Sequence, residues 1–281
     1  VNLDPTRREL FGLAAANALT AAQVNRKVTK YIRYRSNSGS SYGILDGDTV
    51  RELRGDLLAN PTETGTRLKL SEVKLLYPYT PGKILAVGLN YRSHLGTRPA
   101  PPNPEMFYKP VSALQDPDGS IVIPRDATDV HYEGELVIVM GKQARRVSKD
   151  QARDAIFGVT CGNDVSERQW QSGPAKDLQW WRAKGSDTFA PLGPAIVVGA
   201  DYGKLLLQTR LNGDVVQKQF TSDLIFDCPT IVSYISNWVT LNPGDVIYTG
   251  TPGSTKKMAP GDKVEVEIEG IGVLRNTVAA A

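Results

Sequence analysis

Apolar residues fall along this chain in short runs punctuated by Gly, Pro and Asn, a rhythm that predicts strands joined by tight turns. Tyr31-Ile32-Arg33-Tyr34 and Ser41-Tyr42-Gly43-Ile44-Leu45 read as strands, and a turn at Asp46-Gly47 returns the chain through Thr49-Val50-Arg51-Glu52-Leu53. Asn60 to Arg67 is polar, contains Pro and Gly, and reads as a linker-like loop. Lys83 to Gly88 is the buried strand that opens a larger unit. Leu205 to Phe220 is a hairpin with Asn212-Gly213 at its tip, the pair a type I′ turn prefers. Lys263 to Ile268 alternates strictly and should be half exposed. Two helices stand out. Ser148 and Gln151 form a capping box for one that ends near Gly158. Pro229 begins the other, with Ile231, Val232, Tyr234, Ile235, Trp238 and Val239 on one face. Strands without regular helical crossovers define a strand-rich α+β protein.

A chain of 281 residues can bury a substantial core. We divide it into an N-terminal helix or export-signal-like segment (1–27), a small β-rich sub-domain (28–80) and a main domain (81–281). Lys+Arg 33 against Asp+Glu 30 leaves a nearly balanced surface that announces no polyanionic partner. The most basic stretch, Arg26 to Arg35, reads as a strand with a solvated cationic side and carries no nucleic-acid motif. Thr6-Arg7-Arg8 precedes an apolar run from Leu13 to Ala22. This is either an Ala-rich helix or a twin-arginine export signal spanning residues 6–22, so a cytoplasmic location is expected with export as the alternative. The segment is too short and polar to anchor in a bilayer. Cys161 and Cys228 have no metal-ligand spacing, and Cys161 is expected to be buried and inert. With only His94 and His131 in the chain, carboxylates must hold any metal.

The carboxylates that qualify are conspicuous. Glu133-Gly134-Glu135 opens the apolar run Leu136 to Met140, and in a strand the two glutamates project the same way, roughly 7 Å apart at Cα. Like charges aimed at one point repel unless a cation or shared proton lies between them. A hard ion, Mg²⁺ or Mn²⁺, resolves this, with Asp164 of the later Asn163-Asp164 pair as a third oxygen donor. The alternative is a pair of glutamates on the wet face of a half-exposed strand. His131 shares the strand face of Glu133, as an orienting neighbour or as a solvated side chain. Trp180-Trp181 would cover such a site or serve as packing.

Several motifs occur in one order: Gly88-Leu89-Asn90-Tyr91-Arg92-Ser93-His94, Phe107-Tyr108-Lys109-Pro110, Tyr132-Glu133-Gly134-Glu135-Leu136, Gly162 to Arg168, Leu192-Gly193-Pro194, Leu211-Asn212-Gly213 and Pro243 to Pro252. The set, from about Lys83 to Val278, closely resembles the fumarylacetoacetate hydrolase family. The resemblance implies a mixed β-sandwich roll preceded by a small N-terminal region, a homodimer, and a divalent ion held by Glu133, Glu135 and Asp164. It points to His94 and Lys184 as catalytic, and to Arg168, Gln171, Lys109 and Thr251 as substrate contacts. Arg168 and Lys184 suit a substrate carboxylate, although Lys184 would equally pair with a metal-ligand glutamate. His94 can move a proton near neutral pH and lies in a Gly/Pro-rich stretch suited to a lid. Family hydrolases carry a glutamate three residues after this histidine, where Thr97 stands here; Glu105 is the next acid along.

The implied substrate is a small 2-oxo or β-diketo acid reacting through a metal-stabilised enolate. Hydrolytic C–C cleavage, of the acylpyruvate or fumarylacetoacetate type, is the family default. Oxaloacetate tautomerisation or decarboxylation is the alternative, because neither needs the base missing at Thr97. A scaffold that only binds metal or ligand is a third reading. No nucleic-acid or membrane partner is expected.

Overall fold

The computed structural model describes residues 28–36 and 39–281. The twin-arginine segment, and the helix or export signal expected of it, lies outside the described residues. Two sheets form the body. The larger runs, in spatial order, through Thr62–Lys69, Thr49–Arg54, Gly39–Asp46, Thr29–Ser36, Ala190–Val198, Ile156–Asn163, Gly134–Met140, Val246–Tyr248, Ile84–Gly88 and Glu105–Lys109. The smaller has the order Asp214–Phe220, Leu206–Leu211, Lys263–Ile268, Gly272–Ala280 and Ser120–Ile123. The protein is therefore strand-rich α+β, as its pattern requires.

Gly134–Met140 lies inside the large sheet and is buried at every residue. Leu136, Ile138 and Met140 enter a core shared with the small sheet (Leu207, Val266, Ile268) and with two helices, Lys149–Ala155 and Cys228–Ser236. Val137 and Val139 point the other way, into a second core with Ile84, Phe107, Leu192 and Tyr248. A strand covered on both faces reads as an unbroken apolar run, which is what Leu136 to Met140 shows. The glutamates preceding it share the Val137 and Val139 face by period-two alternation.

Local expectations hold where the signal is local. Asn212 and Gly213 both have positive φ, 53° and 93°, closing the hairpin. Lys263–Ile268 alternates exposed or half-buried with buried positions. The Ser148 capping box forms, but its helix stops at Ala155 because Ile156 enters the sheet. The second helix ends at Ser236, so Trp238 lies beyond the helical face and is 66% exposed, edge-on to Tyr234. The expected loop from Asn60 to Arg67 is corrected: Thr62–Lys69 is an edge strand paired to Thr49–Arg54. Exposed or half-buried along its whole length, it carries no apolar alternation from which pairing could be read. Among the described residues no helix is long and apolar enough to cross a membrane.

Candidate active site

The strand that buries Leu136 to Met140 delivers Glu133 and Glu135 into the interior, where they are 5% and 1% exposed. The neighbouring strand Ile156–Asn163 pairs Gly134 with Asn163 and so brings Asp164 alongside, the Asp164 N–H donating to the Glu133 carbonyl at 2.8 Å. One oxygen from each of Glu133, Glu135 and Asp164 lies within 4.8 Å of the others. The wet-face alternative is thereby excluded.

Three cations surround this cluster. Lys184 Nζ donates to Glu133 Oε2 at 2.7 Å and to Asp164 Oδ2 at 2.6 Å. Lys109 Nζ donates to Asp164 Oδ1 at 2.6 Å and to the Lys184 carbonyl. Arg168 reaches Glu133 Oε1 at 2.6 Å. Burial alone would push the Glu133 carboxyl up, but Lys184 and Arg168 outweigh it and hold it well below the ordinary range. Lys184, which burial opposes, is raised because Asp164 and Glu133 both face it. Lys109 goes down, since burial there exceeds the attraction of Asp164.

Glu135 differs. Among the described residues no cation pairs with it; its one hydrogen bond is from the Gly250 N–H at 2.7 Å. Burial, then the charges of Asp164 and Glu133, push its carboxyl well above the ordinary range. A buried carboxylate with two acidic neighbours and no counter-ion, at the focus of three hard oxygen donors, fits a divalent ion. These residues meet the donor chemistry of Mg²⁺ or Mn²⁺ without identifying which.

A cavity of about 290 Å³ opens onto this centre, lined by Glu133, Glu135, Arg168, Gln171, Lys184, Thr251, His94, Arg98, Phe107 and Trp180 among others. Most of the expected site residues are thus gathered at one place. Asp164 and Lys109 do not line the cavity: Asp164 reaches the cluster from beside Glu133, and Lys109 stands behind Asp164. Trp180 packs edge-on against Phe107, with centroids 5.5 Å apart, and walls the cavity, whereas Trp181 is 69% exposed. Thr97 is exposed, and Glu105, on the edge strand opposite Gly88, is not part of the lining.

His94 sits on a short helix, Arg92–Leu95, pinned from two sides. Ser93 donates through N–H and Oγ to Asp223, at 3.1 and 2.8 Å, and its Oγ accepts from Gly253 N–H. The His94 Nδ1 contacts the Gly253 carbonyl. A carbonyl only accepts, so Nδ1 carries the proton and Nε2 keeps a free lone pair.

Sequence reasoning left several supporting residues unfound. Gln217, on the second strand of the hairpin, accepts from Gly134 N–H at 3.1 Å and donates to Thr251 Oγ1 at 2.8 Å and the Pro252 carbonyl at 2.6 Å. Thr251 Oγ1 donates in turn to the Gly134 carbonyl at 2.9 Å, closing a ring around the peptide between the two glutamates. Gly134 is required there, because a Cβ would lie 2.1 Å from Thr209 Oγ1. A second chain steadies Arg168, whose Nη2 donates to Thr255 Oγ1 at 2.7 Å while Nη1 donates to Gln171 at 2.6 Å. Thr255 lies 2.9 Å from His131 Nδ1, and His131 Nε2 2.9 Å from Asp129. His131, lowered by burial against the pull of Asp129, is neutral, which lets it accept from Thr255 and donate to Asp129. It orients the site's arginine at one remove, and is not a solvated side chain. The signal for Gln217 and Thr255 was type alone; their partners lie 34 to 124 positions away.

The description fumarylacetoacetate (FAA) hydrolase, C-terminal, matches residues 83–279, and the Rv2993c-like N-terminal description matches residues 29–78. Protein Rv2993c of Mycobacterium tuberculosis is 43% identical over 259 residues, 88% of this chain and 96% of its own length. A mitochondrial oxaloacetate tautomerase of Bos taurus is 39% identical over 224 residues, 75% of this chain and 71% of its own. The crystal structure of 2-hydroxyhepta-2,4-diene-1,7-dioate isomerase from Mycobacterium marinum superposes with a TM-score of 0.83 at 40% identity, covering 90% of this chain and 98% of that one.

Proposed function

Because this chain belongs to the fumarylacetoacetate hydrolase family, we propose that it is a divalent-metal-dependent tautomerase of small 2-oxo dicarboxylic acids, of which oxaloacetate is the simplest. One observation carries the reading. Among the described residues the only acids lining the cavity are Glu133 and Glu135, both in the oxygen cluster, and Lys184 is paired with Glu133 and Asp164, which supports His94 as the group that moves the substrate proton. Hydrolytic C–C cleavage in the family relies on a carboxylate partnering this histidine to position and activate water, and exposed Thr97 at that place supplies none. Tautomerisation needs one proton moved.

Charge supports a dicarboxylate. The cluster holds three buried acids, Glu133, Glu135 and Asp164, against two buried cations, Lys109 and Lys184, and the half-buried Arg168, so it is formally balanced. A bound dication leaves two positive charges in excess, which a dianionic substrate cancels; an uncompensated buried charge costs several kcal/mol. Mg²⁺ or Mn²⁺ held by the three acids would polarise the 2-oxo group and stabilise charge on its oxygen. His94 Nε2 takes a proton from C3; the C–H electron pair forms the C2–C3 double bond, and the carbonyl pair moves onto the C2 oxygen. Return of the proton to that oxygen gives the enol, and the reverse order gives the ketone. Phe107 and Trp180 give the cavity an apolar wall. The oxaloacetate tautomerase and dioate isomerase named among the relatives support this class of reaction. A homodimer belongs to the same proposal, supported by exposed Tyr108, Leu178 and Trp181 around one groove, and sedimentation measures it.

The test follows enol and keto oxaloacetate by NMR with Mg²⁺ and protein, beside acetylpyruvate. Ketonisation faster than with Mg²⁺ alone, and lost in Glu135→Ala, is expected. Acetate from acetylpyruvate would replace the reading with hydrolysis, and pyruvate from oxaloacetate with decarboxylation. No acceleration of either compound would refute it.

A further inference from the structure

Among the described residues, the cavity-lining cations differ in what already occupies them. Lys184 is bonded to Glu133 and Asp164, and Arg168 to Glu133, Gln171 and Thr255. Arg168 is ion-paired with Glu133 and hydrogen-bonded through both terminal nitrogens, Nη1 to Gln171 and Nη2 to Thr255, so its end-on edge is already engaged. Arg98 is the exception, a cavity-lining cation without a carboxylate partner.

Its placement is specific. Arg98 Nε donates to the Leu95 carbonyl and Nη2 to the His94 carbonyl, each at 3.2 Å. Those bonds use one edge of the guanidinium to close the exposed carbonyl end of the helix carrying His94. The end-on edge, with both N–H groups of Nη1 and one of Nη2, stays unspent. A planar pair of parallel N–H groups is the match for a carboxylate. The side chain is exposed at the cavity mouth, while the acid cluster lies at the buried end. The two ends of the cavity therefore offer two different anion-binding chemistries.

Resting on the tautomerase reading, we infer that Arg98 binds the second carboxylate of the substrate and is the residue that selects 2-oxo dicarboxylates over 2-oxo monocarboxylates. The first carboxylate and the 2-oxo group lie at the acid cluster, and the distal carboxylate takes the end-on fork of Arg98. Because Arg98 also holds the carbonyls of Leu95 and His94, the distal carboxylate fixes the position of the proton-transfer helix relative to C3.

The experiment compares oxaloacetate with its 4-methyl ester, which keeps the shape and removes the distal charge. kcat/KM is measured for the wild-type chain, Arg98→Gln and Arg98→Lys with Mg²⁺ present. Wild type is expected to favour the diacid, and Arg98→Gln to reduce that preference roughly ten- to hundredfold, chiefly through KM for oxaloacetate. Arg98→Lys restores part of it as a point charge. An equal loss on both compounds would assign Arg98 a merely structural part in the helix and overturn the inference, as would an unchanged preference. Calorimetric titration with malate, an unreactive 2-hydroxy diacid, separates this from the parent reading. Weaker malate binding by Arg98→Gln sustains the diacid site even if wild type turns over neither compound. Equal malate affinity overturns it.

Discussion

Replacing Gln217 with leucine keeps its approximate volume and removes the amide that Gln217 contributes to the ring around Gly134. Two buried backbone groups then lose their partners, the Gly134 N–H and the Pro252 carbonyl, while Thr251 Oγ1 still donates to Gly134. Each orphaned buried group costs about 1–3 kcal/mol, so Gln217→Leu should lose roughly 2–6 kcal/mol. That is a large part of the roughly 5–15 kcal/mol that holds a typical domain folded. At roughly 2 °C per kcal/mol for a chain of this size, Tm falls by roughly 4–12 °C. The peptide between the two glutamates also loses its fixed plane, so Mg²⁺ affinity should fall with stability. Thermal unfolding of the metal-free protein gives the first quantity and calorimetric Mg²⁺ titration the second. Gln217→Glu, which keeps an acceptor for Gly134 N–H but opposes the Pro252 carbonyl, should fall between. A Tm within about 2 °C of wild type, together with unchanged Mg²⁺ affinity, would show that the ring does not hold the site.

Gly134→Ala drives a methyl to 2.1 Å from Thr209 Oγ1 and should cost about 1–3 kcal/mol in urea unfolding, with Thr209→Ala in the same chain recovering part of it. Glu135, raised by burial and its acidic neighbours, keeps its proton in the fold to a higher pH than in the unfolded chain. The folded state then binds more protons above the unfolded value of about 4.3, so metal-free stability should fall as pH rises from there. Melting curves of Glu135→Gln should lack that slope, and a slope retained in the variant would remove the assignment. Asp227 accepts from Thr230 N–H at 3.0 Å and caps Cys228–Ser236. Asp227→Ala should cost about 1 kcal/mol at neutral pH. Burial would raise this carboxyl, but its bonds with Lys149 and Thr230 outweigh that and lower it. The cap's contribution is therefore present above the ordinary carboxylate range and lost as pH falls through the lowered value, so unfolding curves of variant and wild type should converge in strong acid.

Legibility in the sequence followed the range of the interactions. The Asn212-Gly213 hairpin, the Ser148 capping box and the alternation of Lys263–Ile268 depend on neighbours within a few positions, and each is as the pattern says. Glu133 and Glu135 were recognisable because one extended stretch carries both, Glu135 in the strand and Glu133 just before it, and Asp164 because the next strand returns beside the first. Thr62–Lys69 was misread as a loop since an edge strand wet on both faces carries no apolar period. Trp238 falls on the apolar helical face by spacing alone, because helical spacing does not say where the helix stops. The resemblance puts Lys109 among the substrate contacts, but its place behind Asp164, bonded to that carboxylate and to the Lys184 carbonyl, depends on packing that no spacing reveals. Gln217, Thr255 and Arg98 are ordinary polar residues until the fold sets them against Gly134, Arg168 and the cavity mouth.

The strand Thr29–Ser36 is hydrogen-bonded to Ala190–Val198 through Thr29, Lys30 and Tyr31, extending the great sheet outward by four strands. Shortening the chain to begin at Lys83 would strip Ile196, Val197 and Val198 of that neighbour. Their bared amides and carbonyls would form a sticky margin, ready to recruit strands from other molecules. The leading hairpins thus act as a selvedge that keeps the woven edge from unravelling into aggregates, one strand away from the ribbon that leads into Asp164.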